Sequence, residues 1–131
     1  MGEGEIEFDK VSFSYPSNNT KVLRSMSFNI PPGKRVALVG HSGCGKSTIA
    51  NLLLRFYNLE EGQILIDGAP IEDFDVKALR KQIGLVMQEP ILFNSTIKEN
   101  ILFGKPDATN EEIFRAAAKA NALEFIEMYD D

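Results

Sequence analysis

Residues 40–48 read Gly40-His41-Ser42-Gly43-Cys44-Gly45-Lys46-Ser47-Thr48, and the reading of the fold starts from that stretch. It satisfies G-x-x-x-x-G-K-[ST], the phosphate-binding P-loop or Walker A pattern. Before it, Arg35-Val36-Ala37-Leu38-Val39 is a short apolar, β-branched run that reads as a buried strand. After it, Ile49, Leu52, Leu53 and Phe56 fall at i, i+3, i+4 and i+7, one face of a helix that starts near Lys46. Strand, glycine-rich turn and helix is the order that phosphate binding needs.

The residue types fit that chemistry. Gly40, Gly43 and Gly45 let the backbone bend tightly and approach an anion without Cβ clashes. The N–H groups of the loop, those of His41, Ser42 and Cys44 included, can then converge on a phosphate at the positive end of the helix. Lys46 is expected to reach the β- and γ-phosphates as a point charge. The Ser47 hydroxyl is expected to ligate Mg²⁺, and Thr48 to bond on the α-phosphate side. His41 is the single histidine, with no partner residue in the pattern, and reads as a solvent-facing loop residue rather than a base. Cys44 reads as a tolerated loop residue rather than a nucleophile, although Lys46 and the helix N-terminus could lower its pKa.

Bulk properties exclude several classes. The 131 residues suffice for one domain with a core, and a net charge of −5 provides no basic stripe for nucleic acid. No apolar run approaches the roughly 18 residues of a membrane span, and no signal peptide opens the chain. Ile6 stands where a myristoylation motif has Ser or Thr. A single cysteine excludes an internal disulfide and fits a reducing compartment, so a soluble piece facing cytosol is expected.

In chain order, Ile6, Phe8, Val11, Phe13 and Tyr15 mark a first strand, with a phase slip near Asp9-Lys10 that suggests a turn or bulge. Pro16-Ser17-Asn18-Asn19 breaks it, and Val22 to Ile30 reads as a second strand ended by Pro31-Pro32-Gly33. Past the P-loop helix, Gln63-Ile64-Leu65-Ile66 reads as a strand, with Asp67-Gly68 as a hairpin turn into Ala69-Pro70-Ile71. Asp75 can cap a short helix through Gln82, and Ile83-Gly84-Leu85-Val86-Met87 reads as a buried strand ending at Gln88. From Asn94 the character is helical. Thr96 with Glu99 and Thr109 with Glu112 form capping boxes, and Asn121 with Glu124 a looser one.

With those elements in place, the chain resembles the nucleotide-binding domain of an ATP-binding cassette (ABC) transporter, of the exporter type similar to multidrug-resistance P-glycoprotein. The stretches that carry the resemblance are GEIEFDKVSFSYPS, GHSGCGKST, LEEGQILIDG, LRKQIGLVMQEPILFNSTIKENILFG and EEIFRAAAKANALEFI, in the family's order across nearly all of the chain. The resemblance implies an α/β fold: a P-loop NTPase core with an N-terminal antiparallel β subdomain (1–34), a core to the Q-loop (35–93) and the start of an α-helical subdomain (94–131). It implies ATP and Mg²⁺ as cofactors. Tyr15 matches the aromatic that stacks on adenine, and Val22 the apolar side chain beside the base. Gln88 matches the Q-loop glutamine, a second Mg²⁺ contact that joins Lys46 in the catalytic set. Implied partners are a second nucleotide-binding domain, in an ATP sandwich, and transmembrane domains, with the chain at the cytosolic face of a membrane.

The departures matter as much. No Walker B run of four apolar residues ending in Asp-Glu, no LSGGQ signature and no switch histidine occurs. Ile64-Leu65-Ile66-Asp67 imitates Walker B, but Asp67-Gly68 is better explained as the hairpin turn. The expectation is a chain cut short inside its helical region, which binds ATP without hydrolysing it, leaves strand edges unpaired and is marginally stable or dimerises. A free-standing, non-catalytic nucleotide-binding or regulatory module is the alternative. A GTPase would want N-K-x-D and a small-molecule kinase an Arg-rich lid, and neither occurs.

Overall fold

The computed structural model of the chain describes residues 2–17, 19–40, 45–87, 89 and 91–128. Internal packing divides the chain into two units, Met1–Leu85 and Val86–Asp131.

The first unit is built on β1 (Ile6–Ser14), which pairs antiparallel with β2 (Lys21–Ile30) on one edge and with β3 (Glu61–Ile66) on the other. A two-residue β4 (Ala69–Pro70) completes the order β2-β1-β3-β4. The slip in the apolar pattern of β1 is a bulge. Register shifts occur between Phe8 and Val11 against β2, and between Asp9 and Ser12 against β3, with Lys10 at φ 49°. The extra residue keeps Phe8, Val11 and Phe13 all on the buried face despite their uneven spacing. The displaced backbone is still satisfied: Lys10 N–H donates to Ser27 Oγ at 2.9 Å. The Asp67-Gly68 hairpin forms as read, both residues at positive φ (50° and 79°), as a type I′ turn demands. Ile71 leaves the returning strand for a one-turn 3₁₀ segment, Ile71–Asp73.

Helix α1 (Lys46–Leu53) lays Ile49 and Leu52 on that sheet, and α2 (Val76–Lys81) adds Leu79. Asp75 caps α2 by accepting from Ala78 N–H at 2.9 Å. Arg80 ties the two helices together, donating from Nε to the Leu54 carbonyl at 2.8 Å while its guanidinium lies over the Phe56 ring. The core so formed joins Phe8, Val11, Phe13, Leu23, Ile64 and Ile66 to these helix residues.

Two expected strands are absent. Neither Arg35–Val39 nor Ile83–Met87 is paired in a sheet among the described residues, and Val39 and Val86 are 88% and 98% exposed rather than buried. An apolar β-branched run is a strand only when a neighbouring strand takes up its N–H and C=O groups, and neither run has such a partner among the described residues.

The second unit holds α3 (Ile97–Leu102), α4 (Asn110–Lys119) and α5 (Leu123–Glu127). Both capping boxes are present at Thr96–Glu99 and Thr109–Glu112. The third does not form: α5 starts after Ala122 without a side-chain cap, because Asn121 adopts φ 57° and so leaves the extended conformation a cap requires. Asn100 fastens the loop before α3, accepting from Phe93 N–H at 2.9 Å and donating to the Thr96 carbonyl at 2.9 Å. Ile113 and Ala117 are buried, and Ile97, Ile101, Ile113, Phe114, Leu123 and Ile126 line an apolar hollow of about 470 Å³.

Glu112 also receives Lys105 Nζ at 2.8 Å. That hydrogen bond, with the Thr109 N–H, holds its carboxyl below the usual carboxylate range. A lowered carboxylate pKa stabilises α4 above the unfolded pKa and ceases to do so as pH falls through the folded one. The helix content of this unit is therefore expected to decline on acidification below the ordinary carboxylate range. Glu112→Gln should flatten that decline in a circular-dichroism titration.

Candidate phosphate-binding site

The site is assembled where β1 and β2 meet the start of α1. Gly45 is the N-cap of α1, in the left-handed region at φ 98°. A Cβ there would stand 2.6 Å from Leu23 Cδ2 and 3.5 Å from Val22 Cγ1, so β2 presses directly on the base of the loop. Leu23 is fully buried, which fixes the position of that contact. Val22, expected beside a base, is thus placed against the P-loop glycine.

The first turn of α1 has no side-chain cap and no acidic residue. Among the described residues no carboxylate claims its leading N–H groups, the condition under which a helix N-terminus accepts an external anion. Lys46 is exposed, its Nζ donating to the Gly40 carbonyl at 2.5 Å. Ser47 is exposed beside it, whereas Thr48 is buried at 3% exposure. Among the described residues no cluster of three His, Cys, Asp or Glu side chains is placed to hold a metal.

Tyr15, at the end of β1, is brought to the same helix. Its hydroxyl lies 2.9 Å from Thr48 Oγ1 and accepts from Asn51 Nδ2 at 3.0 Å. Its ring meets Phe13 and Tyr57 edge to face, at centroid distances of 5.0 and 5.1 Å. Thus Tyr15, Val22, Gly40, Gly45, Lys46, Ser47 and Thr48 belong to one unit: Tyr15 bonds Thr48, Lys46 bonds Gly40, and Val22 lies beside Gly45. His41, Ser42, Gly43, Cys44 and Gln88 lie outside the described residues. Sequence reading missed Asn51, Tyr57 and Leu23. Only Asn51 left a signal, lying at i+3 from Thr48 and so on the same helix face.

Sheet, glycine-capped helix and Walker A sequence together define a P-loop domain. The chain belongs to the ABC transporter family, whose sequence model matches residues 23–130. It is 54% identical over 127 residues to ABC transporter B family member 18 of Arabidopsis thaliana, covering 96% of this chain and 10% of that protein. It is 53% identical over 124 residues to a Staphylococcus aureus (strain Mu50) protein named as a multidrug export ATP-binding/permease protein, covering 95% and 22%. Among solved structures, a bacterial Atm1-family ABC exporter with ATP bound matches with TM-score 0.92 and 43% identity, over 98% of this chain and 23% of that one. The fold is therefore that of the N-terminal part of an ABC ATPase domain, and the chain spans a quarter or less of the length of these relatives.

Proposed function

We propose that this chain binds MgATP at residues 40–48 and forms the ATP-binding part of an ABC exporter, in which ATP binding and hydrolysis are coupled to transmembrane transport. The observation that carries this reading is α1 itself. Among the described residues its first turn has no side-chain cap and no acidic residue, its N-cap glycine is left-handed with Leu23 and Val22 of β2 beside the place a Cβ would take, and Lys46 Nζ donates to the Gly40 carbonyl. Phosphates would take the loop N–H groups, with Lys46 turning from the Gly40 carbonyl to the β- and γ-oxygens and Thr48 on the α-phosphate side. Tyr15 would stack on adenine with Val22 beside it, and Ser47 and Gln88 would hold Mg²⁺. The ion, when bound, neutralises charge on the β- and γ-phosphates.

The exporter names of the relatives support partners of two kinds, a second nucleotide-binding domain and transmembrane domains, with this part at the cytosolic face of a membrane. No described helix is long and apolar enough to cross a membrane itself. The division into a β subdomain (1–34), a P-loop core (35–93) and the start of a helical subdomain (94–131) belongs to the same proposal. Because the 131 residues contain no Walker B acids, the chain by itself binds ATP and does not turn it over.

Calorimetric titration of MgATP into the chain and into Lys46→Ala, with phosphate release assayed alongside, tests this. Removing a charge-assisted bond to phosphate is expected to weaken binding by about 10- to 100-fold, without turnover in either protein. Equal affinity in both proteins would place the nucleotide elsewhere. Phosphate release would mean that an acid within these residues completes the site.

A further inference from the structure

Tyr15 is held more firmly than a strand-end aromatic needs to be. Its hydroxyl is engaged twice, by Thr48 and by Asn51, which stand at i and i+3 on one face of α1. Its ring is bracketed edge to face by Phe13 and Tyr57, at interplanar angles of 82° and 87°. The rings restrain the side-chain torsions, and the hydroxyl bonds anchor the far end to the helix whose first turn carries Lys46 and Ser47. Nothing in β1 pairing requires those bonds, because Tyr15 lies just beyond the strand.

We infer that Asn51 is a positioning residue that fixes Tyr15 in its stacking orientation before nucleotide arrives, so that the base platform and the phosphate loop are set by one helix. The inference rests on the proposed reading of the site as a MgATP site. Its physical basis is preorganisation. A side chain already immobilised gives up no rotamer freedom when the ligand docks, which is worth about two- to ten-fold in affinity. Asn51 itself need not touch the nucleotide. Its amide donates to the phenol oxygen, which leaves the Tyr15 O–H proton directed at Thr48 or the Thr48 proton at Tyr15.

Asn51→Leu removes the donor, keeps the number and branching of the side-chain heavy atoms and improves intrinsic helix propensity, so α1 is not weakened by the change. Affinities for MgATP and for Mg-tripolyphosphate, which lacks the base, are measured by calorimetry in the unsubstituted chain, Asn51→Leu, Tyr15→Phe and the double variant, with helix content followed by circular dichroism. The expected result has three parts. Asn51→Leu loses about two- to ten-fold in MgATP affinity, Mg-tripolyphosphate affinity is unchanged, and the double variant binds MgATP no worse than Tyr15→Phe alone. An unaltered MgATP affinity in Asn51→Leu overturns the proposal. So does an equal loss for both ligands, which would mean that Asn51 acts through the helix, or a loss that adds in full to that of Tyr15→Phe. Failure of the nucleotide reading itself is distinct: it shows as no MgATP binding by the unsubstituted chain, or binding that Lys46→Ala leaves intact.

Discussion

Replacing Gly62 by alanine is expected to destabilise the first unit by about 3–5 kcal/mol, against a total of roughly 5–15 kcal/mol for an ordinary domain. Two costs combine. Gly62 sits at φ 84°, where a Cβ meets the carbonyl oxygen behind it. The second cost is steric: the new carbon would stand 2.3 Å from the Lys10 carbonyl oxygen and 2.5 Å from that of Asp9. Both obstacles are backbone, held in a bulge of the central strand, so no side chain can swing aside to relieve them. The bulge could flatten only by shifting the register of β1 against β2 and β3 together, which would turn Val11 and Phe13 out of the core.

Two other glycines serve as controls for that prediction. Gly68 has φ 79° with open space where a Cβ would stand, so Gly68→Ala should carry only the conformational cost, about 1–2 kcal/mol. Gly84 has open space and no positive φ, and Gly84→Ala should be neutral or slightly stabilising. Urea midpoints of the three variants should therefore rank Gly84→Ala, Gly68→Ala, Gly62→Ala in descending order. A Gly62→Ala midpoint no lower than that of Gly68→Ala would mean that the bulge is soft, and that β1 is not the rigid centre of the sheet.

The same distinction, between what a local pattern encodes and what a distant partner imposes, separates the legible parts of this chain from the rest. The bulge near Lys10, the Asp67-Gly68 turn, the Asp75 cap and the boxes at Thr96 and Thr109 are all decided within a few residues, and each appears where the sequence places it. The runs 35–39 and 83–87 have the composition of buried strands, but pairing is a property of two segments, and no strand pairs with either among the described residues. At the site, the start of α1 at Lys46 after Gly45 is decided locally, and it appears where the sequence places it. The bonds that fasten Tyr15 to α1 span 33 and 36 residues, so Asn51 and Thr48 could not be linked to it before the fold was known. The demand on Gly62 comes from carbonyls about 50 residues upstream, and no composition reveals it.

Gly45→Ala is expected to be the most damaging change to ligand binding among the loop residues described, because it disturbs the sheet and the cradle at once. The left-handed φ of 98° and a Cβ placed 2.6 Å from Leu23 Cδ2 should together destabilise the first unit by about 2–4 kcal/mol. The obstacle here is a side chain, so the steric part is separable. Leu23→Val deletes the offending δ-carbon at a cost of its own of about 1 kcal/mol. In the double variant the stability losses should fall short of their sum by at least about 1 kcal/mol, a coupling that urea midpoints resolve. Binding should behave differently. Alanine in the left-handed region settles near φ 57°, and moving there from 98° turns the peptide planes on either side of residue 45. Those planes carry the N–H groups that open α1, so MgATP affinity should stay depressed in the double variant even as its stability recovers. Recovery of affinity and stability together would show that the Leu23 contact, rather than the backbone dihedral, sets the cradle, and that the antiparallel sheet positions the phosphate loop by packing alone.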